Sequence, residues 1–254
     1  MKIHFTASPS EIAQQAFNKL TQLYKQYSPE ESDCIVSIGG DGHVLASMYE
    51  SLKFNKPVFG LRRTESVGFL CNSYDITKEL ETRVSNAVTL TIHPLRLEAE
   101  TMDGNTVSSL SINEISILRQ TPQAAKLRIF IDNKERLERL VGDGILVATP
   151  TGSTAYNRSC GGPIMPVNAN TLVITGISVS NPRGWSYAVL PQSSVIEIEV
   201  LEIHKRFIKI ESAGTIIRNA KKARIFMDKT KELKLLFDPD ERLDERIIKE
   251  QFML

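Results

Sequence analysis

The first third of the chain alternates short apolar runs with stretches that repeat at helical spacing. Residues 2–6 read as a strand. Ser8-Pro-Ser-Glu11 follows with the spacing of a capping box and puts Pro9 at the first helical position. Ile12, Ala13, Ala16, Phe17, Leu20, Leu23, Tyr24 and Tyr27 then recur on one helical face. Residues 34–38 are mostly apolar and predict a buried strand. Val44, Leu45, Met48, Tyr49 and Leu52 mark a second helical face, and residues 57–61 a further strand. Ile76, Leu80, Val84 and Val88, four apart, predict a helix over 75–88. This order of strands and helices specifies a small parallel sheet covered by helices.

The pattern changes near Thr89. Strands are predicted over 90–100, 107–118, 126–131, 144–149, 171–177, 195–201, 207–212, 224–227 and 232–237. Several alternate, as in Val195-Ile-Glu-Ile-Glu-Val200, and Asp103-Gly104 and Asp132-Asn133 supply turns between them. The expectation is an α/β domain over 1–88 and a β-sandwich-like domain over 89–237. A charged tail over 238–254 is expected to form a short helix on the first domain, since Leu243, Ile247, Ile248 and Phe252 share a near-helical spacing.

Composition narrows the function classes. The 254 residues are 41% hydrophobic, ample for a packed core. Lys and Arg number 31 against 30 Asp and Glu, a net charge of +1, so no global charge points to nucleic acid or membrane. Three scattered cysteines, Cys34, Cys71 and Cys160, suggest neither a disulfide framework nor a zinc site. His4, His43, His93 and His204 lack ligand spacing, so no protein metal site is expected. No apolar run nears the roughly 20 residues that span a bilayer. A cytoplasmic protein is the expectation.

Three segments carry candidate chemistry. Ser37-Ile-Gly-Gly-Asp-Gly-His43 joins a buried strand to a helix, at the sheet edge where ligands of α/β folds bind. Its glycines permit positive φ and close backbone approach, and a helix N-terminus favours an anion. It matches neither the dinucleotide fingerprint nor a Walker A loop. Asp41 would repel phosphate there unless it orients and deprotonates a hydroxyl nucleophile; alternatively it caps the helix. Residues 141–163 pair a strand with a long run of small and hydroxylic residues suited to a polyhydroxylated or phosphorylated ligand. Asn113 and Glu114 interrupt an apolar strand; adjacent positions face opposite sides, so at least one needs a partner in the core unless the strand ends there.

Taken in order, Ile38-Gly-Gly-Asp-Gly42, Val67-Gly-Phe-Leu70, Asn113-Glu114, Gly142-Asp-Gly144, Thr149-Pro-Thr-Gly-Ser-Thr-Ala-Tyr-Asn157 and Gly161-Gly-Pro-Ile-Met-Pro166 resemble the NAD kinase family over most of the chain. The Gly-Gly-Asp-Gly turn alone is shared with phosphofructokinases and diacylglycerol kinases. The Thr-Pro-Thr-Gly-Ser-Thr-Ala-Tyr run with the upstream Asn-Glu is far more specific. The resemblance implies an α/β domain followed by a β-rich domain, with the active site between them. It implies transfer of a phosphoryl group from ATP, or inorganic polyphosphate, to the 2′-hydroxyl of the adenosine ribose of NAD, giving NADP.

The same resemblance makes Asp41 the residue that activates that hydroxyl. It places Gly39, Gly40 and His43 at the donor phosphates and Gly42 beside the substrate. Asn113 would meet the adenine and Glu114 the ribose hydroxyls. Asp143, Thr151 and Ala155 would line the substrate pocket, Thr154, Tyr156, Asn157, Arg158 and Ser159 would continue the loop, and Phe69 would pack near the adenosine. Mg²⁺ or another divalent cation would arrive with ATP, and a homodimer or homotetramer is implied. Two positions depart from the family pattern. His43 stands where many members carry Thr, and a protonated imidazole there would meet the donor phosphates. Ala213 stands where an Asp is frequent. The rival readings are a lipid or sugar kinase of the wider Gly-Gly-Asp-Gly group, which Asn113-Glu114 and the 149–156 run disfavour, and a dinucleotide-binding sensor without transfer activity.

Overall fold

The structure, a computed structural model, describes residues 1–62 and 68–252. The chain divides into two compact units, one formed by Met1–Ile92 and Thr230–Leu254, the other by His93–Lys229.

The first unit is a sheet with helices. Its strands run in the order Ile3–Ala7, Cys34–Ile38, Val58–Arg62, Leu233–Phe237, Val88–Ile92. The first four are parallel and the last is antiparallel to Leu233–Phe237. Every residue of Cys34–Ile38 is buried, as a parallel strand covered on both faces requires. These pairings move the expected division: residues 89–92 and 230–237 belong to the first unit, because Leu233–Phe237 is an interior strand of its sheet.

The first helix spans Glu11–Leu23 and buries Ala13, Ala16 and Leu20. Its cap is Ser10, whose hydroxyl accepts from the Ala13 amide. Ser8, expected to cap, instead donates its amide to Ile38 and accepts at its carbonyl from Gln14, so Pro9 precedes the helix. The helix stops at Leu23; Tyr24 is extended, and its hydroxyl accepts from the Leu80 amide. The helix expected over 75–88 is confined to Leu80–Asn86. Asp75 accepts from the amide and hydroxyl of Thr77, a local turn that competes with helix, and Val88 leaves to pair with Phe237. The helix Leu243–Gln251 also belongs to this unit, with Leu243 and Ile247 buried.

The second unit is a sandwich of two antiparallel sheets. One runs Lys134–Gly142, Ala125–Ile131, Ile196–Val200, Ala220–Met227, Leu95–Thr101, Thr106–Ser111. The other runs Tyr187–Pro191, Thr171–Ile177, Gly144–Ala148, Glu114–Arg119, Ile208–Ser212, Thr215–Arg218. One apolar core draws from both, including Leu97, Ile117, Leu127, Ile145, Ile174 and Ile225. Two expected strands are split. Residues 90–100 break at His93-Pro94, and 107–118 break at Ile112-Asn113. The second break positions the site.

Candidate active site

In the first unit, the turn after Cys34–Ile38 places Gly40 as the cap of the helix Asp41–Ser51 and Asp41 as its first residue. The three glycines do not need the left-handed backbone the sequence allowed them. Gly40 has φ −91°, and neither Gly39 nor Gly42 has positive φ. What they provide is space: at Gly40 and Gly42 a β-carbon would meet nothing within 4 Å, leaving bare backbone at the helix N-terminus. At Gly39 a β-carbon would lie 2.9 Å from that of His43.

Asp41 does not cap its helix. Its Oδ2 accepts from the Phe69 amide at 2.7 Å and its Oδ1 from the Leu70 amide at 3.0 Å. The Cys71 thiol lies 3.5 Å from the same Oδ1. Burial and then the Asp41 charge push that thiol far up, so it stays a proton donor toward the carboxylate. Gly68 makes the approach possible, since a β-carbon there would fall 2.9 Å from Asp41 Oδ1. Phe69 thus serves the carboxylate through its backbone, with its ring half-buried. Val67, the first residue of that motif, lies outside the described residues. His43 Nε2 is 3.4 Å from Thr6 Oγ1. Burial lowers the His43 pKa, which works against the protonated imidazole expected at the phosphates.

The second unit brings the two other motifs together. Thr149 follows Gly144–Ala148, and its amide donates to the Asn113 carbonyl at 2.9 Å. Its hydroxyl donates to Ile112 at 2.7 Å and accepts from the Gly152 amide at 3.1 Å. The loop is thereby closed down on the strand break, and a single turn, Thr151–Thr154, starts there. Asn113 Oδ1 and Glu114 Oε2 are buried acceptors without a partner. Such groups are costly unless a ligand satisfies them. Desolvation raises the Glu114 pKa from 4.5 to about 7.

The remaining loop residues separate by role. Thr151 is buried, Thr154 and Ala155 are half-buried, and Tyr156, Arg158 and Ser159 are exposed. Asn157 is buried with its amide committed: Nδ2 donates to the carbonyls of Ser153 and Pro163, and Oδ1 accepts from Thr175. Its side chain holds the loop, with both Nδ2 donors committed to it. Asp143 pairs with Arg119 at 2.5 Å and remains partly exposed. Arg119, Thr149 and Cys71 were not singled out as site residues from the sequence; of these only Thr149, inside the hydroxylic run, carried a sequence signal. Among the described residues no group of three or more His, Cys, Asp or Glu could hold a metal ion.

A carboxylate held beside bare glycine backbone at the carboxyl edge of a parallel sheet, in a chain that also carries a sandwich with a hydroxylic loop over orphaned acceptors, is what the resemblance to Gly-Gly-Asp-Gly kinases leads one to expect. The fold matches solved structures throughout. A yeast NADH kinase complexed with NADH superposes with TM-score 0.81 at 23% identity, covering 99% of this chain and 87% of that one. An NAD kinase from Archaeoglobus fulgidus in complex with ATP gives 0.76 at 22% identity, covering 100% of both. Residues 112–216 match the family model of the ATP-NAD kinase C-terminal domain. The NAD kinase of Hyphomonas neptunium is 42% identical over 252 residues, 99% of this chain and 98% of the relative. That of Rhizobium meliloti is 40% identical over 248 residues, covering 98% and 96%. The chain belongs to the NAD kinase family.

Proposed function

We propose that this chain phosphorylates NAD to NADP with ATP, with Asp41 orienting the 2′-hydroxyl of the adenosine ribose and collecting its proton. The reaction follows from family membership. The observation that supports the role of Asp41 is its carboxylate, fixed by two backbone amides beside exposed glycine backbone. An ordinary Asp, with a pKa of about 3.9, is a weak base toward a sugar hydroxyl. Phosphoryl transfer through a loose transition state asks mainly for alignment and late proton removal, which a rigidly held carboxylate supplies.

Asn113 and Glu114 receive the adenosine, the amide at the base and the carboxylate at the ribose hydroxyls. Their orphaned acceptor atoms support this. Gly39, Gly40, Gly42 and His43 lie where the donor phosphates approach the helix N-terminus. Asp143, Thr151, Thr154, Ala155, Tyr156, Arg158 and Ser159 contribute the surface of the binding loop, and Phe69 packs near the adenosine. A divalent cation, Mg²⁺ among others, comes with ATP as part of the substrate and offsets phosphate charge near Asp41. A homodimer or homotetramer is the assembly; Tyr187 and Val189, exposed on an edge strand, are apolar surface for it. No described helix is long and apolar enough to cross a membrane, and a cytoplasmic location is the reading we adopt.

The test is direct. The protein is incubated with NAD, ATP and Mg²⁺, and NADP is detected with an NADP-specific dehydrogenase. Asp41→Asn is expected to remove most turnover while NAD still binds. Full activity in that variant would refute the role given to Asp41.

A further inference from the structure

The peptide segment that holds Asp41 is itself held from the other side. Residues 68–71 present the amides of Phe69 and Leu70 to the Asp41 carboxylate. The carbonyls of Gly68 and Cys71, at the two ends of that segment, accept from one nitrogen of Arg246, at 3.0 and 2.6 Å. Arg246 lies on the helix Leu243–Gln251, 178 and 175 residues beyond the two carbonyls it bonds. Its other terminal nitrogen donates to Glu241 at 2.6 Å. Glu241 accepts in turn from the amide and hydroxyl of Ser73, just beyond the segment.

We infer that Arg246 is a positioning residue for phosphoryl transfer, acting through residues 68–71 to fix the Asp41 carboxylate. This deepens the proposed function and rests on the role it gives Asp41. Three features support it. The guanidinium straddles both ends of the segment whose inner amides serve the carboxylate, so its loss frees the segment at both ends. A planar fork bonds the two carbonyls from one nitrogen and the carboxylate from another in one fixed geometry; a lysine ammonium also has three donors but gathers them on a single rotatable nitrogen. Alignment is what the reaction demands of Asp41, and small displacements of an aligned group cost rate steeply.

A merely structural role, docking the helix, gives a different outcome. The variants Arg246→Ala, Arg246→Lys, Ile247→Ala, Asp41→Asn and Asp41→Asn/Arg246→Ala are assayed well below their melting midpoints with an NADP-cycling readout. Ile247, fully buried on the same helix, is the docking control. Arg246→Ala is expected to lower kcat at least tenfold with the KM for NAD within about twofold. Arg246→Lys, which keeps the charge beside Glu241 and serves if Arg246→Ala does not fold, is expected to lose at least threefold in kcat. Ile247→Ala is expected to melt earlier and keep kcat within twofold. In the Asp41→Asn background, Arg246→Ala is expected to add less than a twofold loss. Wild-type kcat in both Arg246 variants, an equal kcat loss in Ile247→Ala, or a further tenfold loss in the double variant would overturn the inference while Asp41→Asn keeps only residual turnover. A fully active Asp41→Asn would overturn both the inference and the reading beneath it.

Discussion

A β-carbon on Gly152 would lie 2.3 Å from the carbonyl oxygen of Asn113 and 2.6 Å from its α-carbon. The hydroxylic loop therefore rests on the backbone of the strand break, with no side chain between. Backbone cannot retreat from such a contact as a flexible side chain can. Gly152→Ala is expected to cost about 2–3 kcal/mol of stability and to weaken NAD binding at least tenfold. Thermal denaturation and calorimetric titration with NAD would check both.

Glu114 gives a prediction with a definite sign. Burial raises its pKa from 4.5 to about 7 in the folded chain, so between these values the folded state holds a proton that the unfolded state has lost. Its contribution to stability is then undiminished below pH 4.5 and is lost as pH rises toward 7. The penalty reaches on the order of 3 kcal/mol. Glu114→Gln should remove it, so the stability of the variant relative to the parent rises across this range in chemical denaturation. Ribose hydroxyls donate best to the ionised form. Affinity for NAD should therefore improve from pH 6 to 8 in the parent and stay flat in Glu114→Gln.

Asn157 shows how a motif residue braces its own loop. Asn157→Ala would leave two carbonyls and the Thr175 hydroxyl unpaired in a buried place. The expected loss is about 3 kcal/mol. Asn157→Asp, nearly the same shape, should be at least as harmful because an oxygen would then face both carbonyls. Thr175→Val, which removes one of the three bonds, should cost about 1 kcal/mol. Denaturant midpoints of the three variants would order them.

The reach of the sequence was uneven for physical reasons. Buried strands such as Cys34–Ile38 and Thr171–Ile177 were legible because both faces demand apolar residues. Besides the two-residue strand Asn72–Ser73, three strands are not legible in the sequence: Lys134–Gly142, Tyr187–Pro191 and Thr215–Arg218. All are sheet edges, where one side of the ladder is unpaired and the apolar pattern is weak. A break near Asn113 was one of two readings the polar pair allowed, and the residue that bonds it, Thr149, lies too far along the chain to decide between them. Asp41 and the Asn113-Glu114 pair stood out in the sequence. Cys71 and Arg246, which support Asp41, and Arg119, the partner of Asp143, did not, since a single sequence does not show which distant residues meet.

Ala213, one of the departures from the family pattern, has a clear place. It has φ 49° and Gly214 has φ 82°, in the two-residue hairpin that joins Ser212 to Thr215. Such turns prefer Asn-Gly, and a left-handed Ala carries a penalty of about 1 kcal/mol. Ala213→Asn is expected to raise stability by about 0.5–1 kcal/mol. A lower melting temperature in that variant would contradict the turn assignment.

The sheet of the first unit is closed by a strand made late. Leu233–Phe237 sits between Val58–Arg62 and Val88–Ile92, and the whole of His93–Lys229 is threaded in before it. During synthesis the ribosome finishes the sandwich before it supplies that interior strand, and the arginine that clamps residues 68–71 comes later still. A nascent chain stalled anywhere before residue 246 lacks the bracing of its own carboxylate.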